Sequence, residues 1–296
     1  MSASLIVLIP VVLLGVVAAL CFVGCGFSST GDITPGPYET AVSNSDPGTL
    51  IAFWQLNDRP PTGTAFDVAP KQPPLLAFNG TYVGNVLQNQ TGIVPSDLVD
   101  TAWSSALFGG GFVQVGFQPE LNPNDSFSIE CWVQVASTPS PAAVMVVVAS
   151  NDPTDPNNLT GYQLHATAEL TWAASIGLGP GPGSQFLIAK PMMGSPPTVK
   201  IGVPQYLVAT FESKTGILTL FVDGDMSAQA PIMAPMPPFS PAVMPTPFAI
   251  GALSTAGSQQ AQQPFSGKIQ DVAFYSVALA SGTIKDRFNT GSTPPG

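Results

Sequence analysis

Ser126-Phe-Ser-Ile-Glu-Cys-Trp-Val-Gln-Val135 places Phe127, Ile129, Cys131, Val133 and Val135 at every second position. A period of two sets those five side chains on one face of an extended strand and the residues between them on the other. The stretch predicts a strand that is half-buried against a core, with Glu130 on the outer face opposite Cys131. Outward from it the same kind of run recurs. Thr49–Leu56, Phe112–Val115, Ala143–Ala149, Tyr206–Phe211, Ile217–Val222, Phe248–Gly251 and Ile269–Tyr275 are strand-like and lie between turn signals. Lys214-Thr-Gly216 and Asp223-Gly224 read as tight turns. Ala143–Ala149 is continuously apolar, as a strand buried on both faces would be. Ile284 and Phe288 share a helical face and predict a short helix over 280–288.

Composition supports the strand-and-turn reading. The 296 residues include 32 prolines and 29 glycines, which break long helices, and only 9% are charged. The net charge is −10, with eight Lys and Arg in all. Such a chain has no electrostatic footprint for a phosphate backbone, so nucleic acid is excluded as a partner. Trp54, Phe108, Trp132, Phe211, Phe221 and Phe274 fall where strands need large core side chains. Cys131 is the one cysteine of the body, the others being Cys21 and Cys25, so it reads as a buried inert thiol.

Residues 5–27, LIVLIPVVLLGVVAALCFVGCGF, carry no charge. As a helix they would extend about 35 Å, enough to cross a hydrocarbon core. Two readings stay open. The segment is an uncleaved membrane anchor, or it is a lipoprotein signal, because Phe22-Val-Gly-Cys25 resembles a lipobox whose cysteine, Cys25, is lipidated. Against the second, Met1–Ser4 lacks the basic residues that open a signal peptide, and the apolar run is long. Residues 28–48, rich in Gly, Pro, Ser, Thr and Asp, read as a flexible stalk. The body then spans 49–291, with 292–296 as a tail.

Several body segments, taken in order, resemble the laminin-G-like (concanavalin A-like) jelly-roll domains. They are Leu50–Asp58, Ala65-Phe-Asp67 with Phe78–Gly84, Ala106–Val115, Ser126–Val135, Gln205–Phe211, Leu218–Gly224, and Gly267–Tyr275 with Ala278-Leu279. The resemblance implies an all-β, two-sheet antiparallel sandwich, here behind one N-terminal transmembrane or signal-anchor helix, with the body outside the cytoplasm. Many such domains bind calcium through an acid in an early loop and one near the last strand, which would be Asp67 and Asp271. Gln270 stands where the family usually has Asp, which weakens that site, so the cofactor expectation is none or calcium.

No catalytic constellation is visible. Glucanase-type relatives carry paired carboxylates in an E-x-D-x-x-E pattern on one strand, and Glu130 has no acid two residues away. His165 is the only histidine, too few for a triad beside a base or for an ordinary zinc site. The expected function is therefore a membrane-anchored, non-catalytic interaction module, an accessory or structural subunit. The alternative is a lectin-like adhesin that binds glycans. Two proline-rich yet apolar loops mark the expected surface for a protein partner or like subunit. One is 189–197 with Met192 and Met193. The other is 226–247, an insertion with Ile232, Met233, Met236, Phe239 and Met244.

Overall fold

The computed structural model describes residues 35–45, 48–58, 63–71, 76–97, 105–137, 143–151, 159–180, 184–191 and 196–294. The segment 5–27, Cys25, Met192 and Met193 lie outside them. Among the described residues no helix is long and apolar enough to cross a membrane.

Two antiparallel sheets stack face to face. The first holds nine strands: β1 (Leu50–Trp54), β4 (Val86–Gln90), β5 (Ser105–Gly109), β7 (Phe127–Val135), β12 (Lys190–Pro191), β13 (Gln205–Glu212), β14 (Ile217–Val222), β15 (Asp225–Pro231) and β17 (Ser266–Tyr275). Its order is β12-β15-β14-β13-β7-β17-β5-β4, with β1 also on β17. The second holds eight: β2 (Thr64–Ala65), β3 (Gly80–Val83), β6 (Phe112–Val115), β8 (Met145–Ser150), β9 (Tyr162–Ala166), β10 (Trp172–Leu178), β11 (Gln185–Ile188) and β16 (Phe248–Ile250). Its order is β11-β10-β9-β8-β16-β6-β3-β2. Neighbouring strands far apart in sequence, such as β7 beside β17, give a sandwich rather than a meander.

The five alternating residues of β7 point inward. Phe127 sits among Tyr162, Phe211, Phe239 and Phe274, with ring centroids 4.9–5.8 Å away. Trp54 stacks on Phe248 at 4.9 Å and donates its Nε1–H to the Phe78 carbonyl at 2.9 Å. Cys131 is a free thiol in this core, and burial pushes its pKa up. β14 turns into β15 through Asp223 and Gly224, both with positive φ, the geometry of the tightest hairpins.

Four expectations are corrected. β7 is buried on both faces, not one, because two helices cover the outer side of its sheet. Trp132 and Phe221 belong to that outer cluster rather than to the sandwich core. Part of the expected stalk is helix α1 (Pro37–Ser43), with Tyr38 and Val42 fully buried. Proline at its first position suits a helix start. The stretch expected as an insertion over 226–247 begins as strand β15, and its prolines are confined to the strand end and the following loop. Helix α2 (Ser281–Ser292) forms where the Ile284/Phe288 spacing predicts it and continues one turn further.

Candidate functional site

The chemistry of the molecule concentrates on the outer face of the nine-stranded sheet. Trp132, Tyr206, Val208, Ala273 and Tyr275 project there from β7, β13 and β17, and Tyr38 and Ile284 close over them from the two helices. At the centre lies Glu130, with no exposure at all. Its Oε2 accepts from the Tyr206 hydroxyl at 2.6 Å and its Oε1 from the Tyr275 hydroxyl at 2.7 Å. Arg287 of α2 bridges both oxygens from Nη1 at 2.9 Å, and its Nη2 donates to Ser45 Oγ at 2.7 Å. Its guanidinium also lies over the Tyr275 ring, 4.8 Å from the centroid. Burial disfavours the Arg287 charge, but the facing Glu130 carboxylate more than offsets it and raises the pKa. Burial and the same carboxylate push both tyrosines up, so their hydroxyls stay donors. This is a fully satisfied buried ion pair. Glu130 does face away from Cys131, as expected, but into a covered interface rather than solvent.

A second buried polar group lies beneath α1. Glu39, Asp97 and Asp271 each place a carboxylate oxygen within 4.8 Å of the other two. Asp271 has no exposure, and Glu39 is 6% exposed. A bulge in β17 between Gln270 and Ala273, with Asp271 at φ +56, takes Asp271 out of the strand's alternation. Glu39 accepts from Gly36 N–H at 3.0 Å, Asp97 from the Ser96 hydroxyl at 2.8 Å, and Asp271 Oδ2 from Gln270 at 3.1 Å. Asp271 Oδ1 and Asp97 Oδ2 have no partner. Burial pushes the Glu39 carboxyl up to about 7, with Asp97 adding to it against the Gly36 hydrogen bond. Burial, then Glu39 and Asp97, raise Asp271 well above the carboxylate range.

Asp67 stands elsewhere. Its oxygens accept from Phe53, Ala69 and Phe78 N–H at 2.8–3.0 Å, and Lys71 Nζ lies 2.7 Å away. Lys71 also donates to the Ile51 carbonyl and lies over the Phe78 ring. An ammonium thus sits against the carboxylate that the resemblance assigns to a calcium ion. The structure groups Asp271 with Glu39 and Asp97, not with Asp67.

Between the helices runs an open groove of about 460 Å³, walled by Asn44, Ser45, Thr283, Asp286 and Thr290 with Arg287 at its floor. It offers hydroxyl, amide and carboxylate groups beside small apolar residues, and no aromatic ring lines it. His165 is buried on the outer face of the other sheet, between Val146 and Ala173, with its Nδ1 unpartnered. Burial lowers its pKa to about 4. Of the apolar loop, Ile232, Met236 and Phe239 pack on the sandwich core. Met233 and Met244 are exposed, at 58% and 74%, as is Val243.

Sequence reasoning missed Glu39, Asp97, Ser45 and Arg287. Arg287 carried a signal, because it lies three residues after Ile284 and so near the buried face of α2. Glu39 and Asp97 carried none.

The sequence pattern of the concanavalin A-like lectin/glucanases superfamily matches residues 108–285. No curated protein matches the chain. Among solved structures, the binding domain of botulinum neurotoxin DC in complex with SialylT is 13% identical, with a TM-score of 0.54 over 84% of this chain and 52% of that one. The chain therefore spans about half the length of such neurotoxin binding-domain chains. Domain 4 of AbnA, a GH43 extracellular arabinanase from Geobacillus stearothermophilus, in complex with arabinotriose, is 15% identical, with a TM-score of 0.53 over 82% of this chain and 99% of that one. At these identities the likeness is one of fold.

Proposed function

Since the chain belongs to the concanavalin A-like lectin/glucanases superfamily, we propose that its body is a non-catalytic carbohydrate-binding module. The observation that carries the reading is the match to domain 4 of AbnA, a single module covered over 99% of its length and solved in complex with arabinotriose. The groove between α1 and α2 is the surface with suitable chemistry. Sugar hydroxyls pair with the hydroxyls of Thr283 and Thr290, the amide of Asn44 and the carboxylate of Asp286. Without an aromatic platform, recognition rests on hydrogen bonds exchanged with water, which favours weak binding.

The non-catalytic part rests on the carboxylates. Hydrolysis needs two of them flanking an accessible glycosidic bond. Glu130 is locked to Arg287, and Glu39 and Asp271 are covered. The test is binding to arrayed glycans, including arabino-oligosaccharides and sialylated chains, followed by calorimetry on any hit. Asp286→Ala changes an exposed residue of the groove and should weaken a hit at least about fivefold, equivalent to losing one net hydrogen bond. A hit with unchanged affinity in that variant moves the site out of the groove. No binding to any glycan, or release of reducing sugar from one, ends the proposal.

A second reading is favoured by the half-seated apolar loop. Met233, Val243 and Met244 stay exposed while their neighbours pack inward, which suits a membrane-anchored accessory subunit docking on a protein partner. Purification from native membranes in mild detergent tests it. A stoichiometric partner lost on Met233→Ser/Met244→Ser supports docking, and a partner retained in that variant removes it.

A further inference from the structure

The charges of the molecule are unevenly placed. No Asp, Glu, Lys or Arg occurs in any strand of the second sheet, β2, β3, β6, β8, β9, β10, β11 and β16. Burial keeps the one histidine of those strands, His165, neutral at ordinary pH. The chain is also free of Asp, Glu, Lys and Arg from Met226 to Gly267, and both connections within that stretch join the same layer. In 232–247, Phe239 bridges to Leu178, and Ser240 accepts from Gly161 N–H at 2.7 Å and donates to the Gly177 carbonyl at 2.9 Å. In 251–265, Leu253 packs with Val146 and Ala149, and the Gln263 carbonyl accepts from Val146 N–H at 2.9 Å. Among the described residues the charged side chains therefore sit on the nine-stranded sheet, its two helices and the remaining connections. The uncharged layer is also where apolar side chains stay in solvent: Met233, Val243 and Met244 on the first connection, and Ile188 on edge strand β11.

We propose that this uncharged layer is the contact between two copies of the chain, with Met233, Val243 and Met244 as its apolar anchors. The inference rests on the docking reading above and names its partner. A chain of net charge −10 repels its own copy, and like charges opposed across an interface cost several kcal/mol. Two copies that meet through this layer hold their acids on the far sides. An acidic or basic partner gains nothing from it, because it offers no complementary charge. A copy presents the same apolar side chains, and the exposed amides of Gln259, Gln260 and Gln262 both donate and accept hydrogen bonds. That is the self-complementarity a two-fold contact needs.

The experiment is sedimentation equilibrium on the full chain in density-matched mild detergent. The expected result is a monomer–dimer equilibrium whose Kd holds or falls between about 0.05 and 0.5 M sodium chloride, because salt screens the repulsion between acidic chains and finds no ion pair to weaken. Val243→Asp/Met244→Asp, at two exposed positions, should weaken the dimer at least about tenfold while leaving the β-rich circular dichroism spectrum intact. Asn289→Asp, which adds a charge on the exposed side of α2, should dimerise as the parent does. A chain that stays monomeric up to about 10⁻⁴ M overturns the proposal. So does a dimer that loosens at least about tenfold in high salt, the behaviour of an interface held by charge. A dimer that survives Val243→Asp/Met244→Asp unchanged also overturns it. A monomer that captures an unlike protein through Met233 and Met244 overturns the second copy and leaves the docking reading standing.

Discussion

On its inner face β7 offers Phe127, Ile129 and Cys131 to a wholly apolar core, while on its outer face the same strand offers Glu130 and Trp132 to two helices. Both faces are buried, apart from half-buried Gln134 on the outer one. The inner face is held by shape and apolar area, which many side chains share. The outer face is held by one directional cluster, in which Glu130 takes four hydrogen-bond donations from three residues. Apolar packing keeps the sheets together without specifying what else sits on them. The charged pair specifies where α2 must land, because any other register would leave Glu130 or Arg287 buried without its partner.

The difference can be broken first from inside. Phe127→Ala removes the ring at the centre of the aromatic cluster and should cost about 4 kcal/mol in urea denaturation, in the range of large core truncations. From outside, Arg287→Met should cost about 3 kcal/mol by leaving Glu130 unpaired. Its loss should also release α1, visible as faster amide exchange in residues 38–45, which the Phe127 variant would not show selectively. A third test uses the outer face of the other sheet. His165 titrates at about 4 when folded and near its ordinary 6.5 when unfolded, because burial disfavours the imidazolium. Between those values the unfolded chain binds a proton that the folded chain does not. Stability is then full above pH 6.5 and falls as pH drops towards 4, by at most about 3 kcal/mol. His165→Gln should flatten that part of the pH profile. A finer cut pairs Glu130→Gln with Arg287→Met. If the outer face depends on the match of charges, the double variant should be at least about 1 kcal/mol more stable than the two single losses summed. The smallest effect belongs to the surface: Met244→Ser should change stability by under about 0.5 kcal/mol.

The inner face was legible in the sequence because alternation is a local property. Five residues of β7, and the hairpin of β13 and β14, announce themselves within ten positions. The outer face was legible only in part. Glu130 reads as a surface acid because its answer, Arg287, lies 157 residues away. Helix α1 is seven residues, Pro-Tyr-Glu-Thr-Ala-Val-Ser, too short to carry a periodic signal, and only packing makes it helical. Asp271 stood out in the sequence as an acid near the last strand, while Glu39 and Asp97, the carboxylates it meets, did not. A bulge with a non-glycine residue at positive φ cannot be read from strand alternation, and the loop that brings Asp97 has no pattern of its own. The charge that meets Asp67 was itself available locally, since Lys71 stands four residues after it.

Cys131 gives the sandwich a built-in timer. Its sulfur lies between the sheets, and burial keeps it as the unreactive thiol rather than the thiolate that reagents attack. A thiol-specific label can reach it only when the two sheets part. The lag before Cys131 is modified therefore measures how often the whole sandwich opens, and the ratio of that rate to the rate in urea converts to the free energy of opening. A change on the helix-covered face advances the timer only as far as it destabilises the whole sandwich, whereas one confined to a surface loop leaves it unmoved.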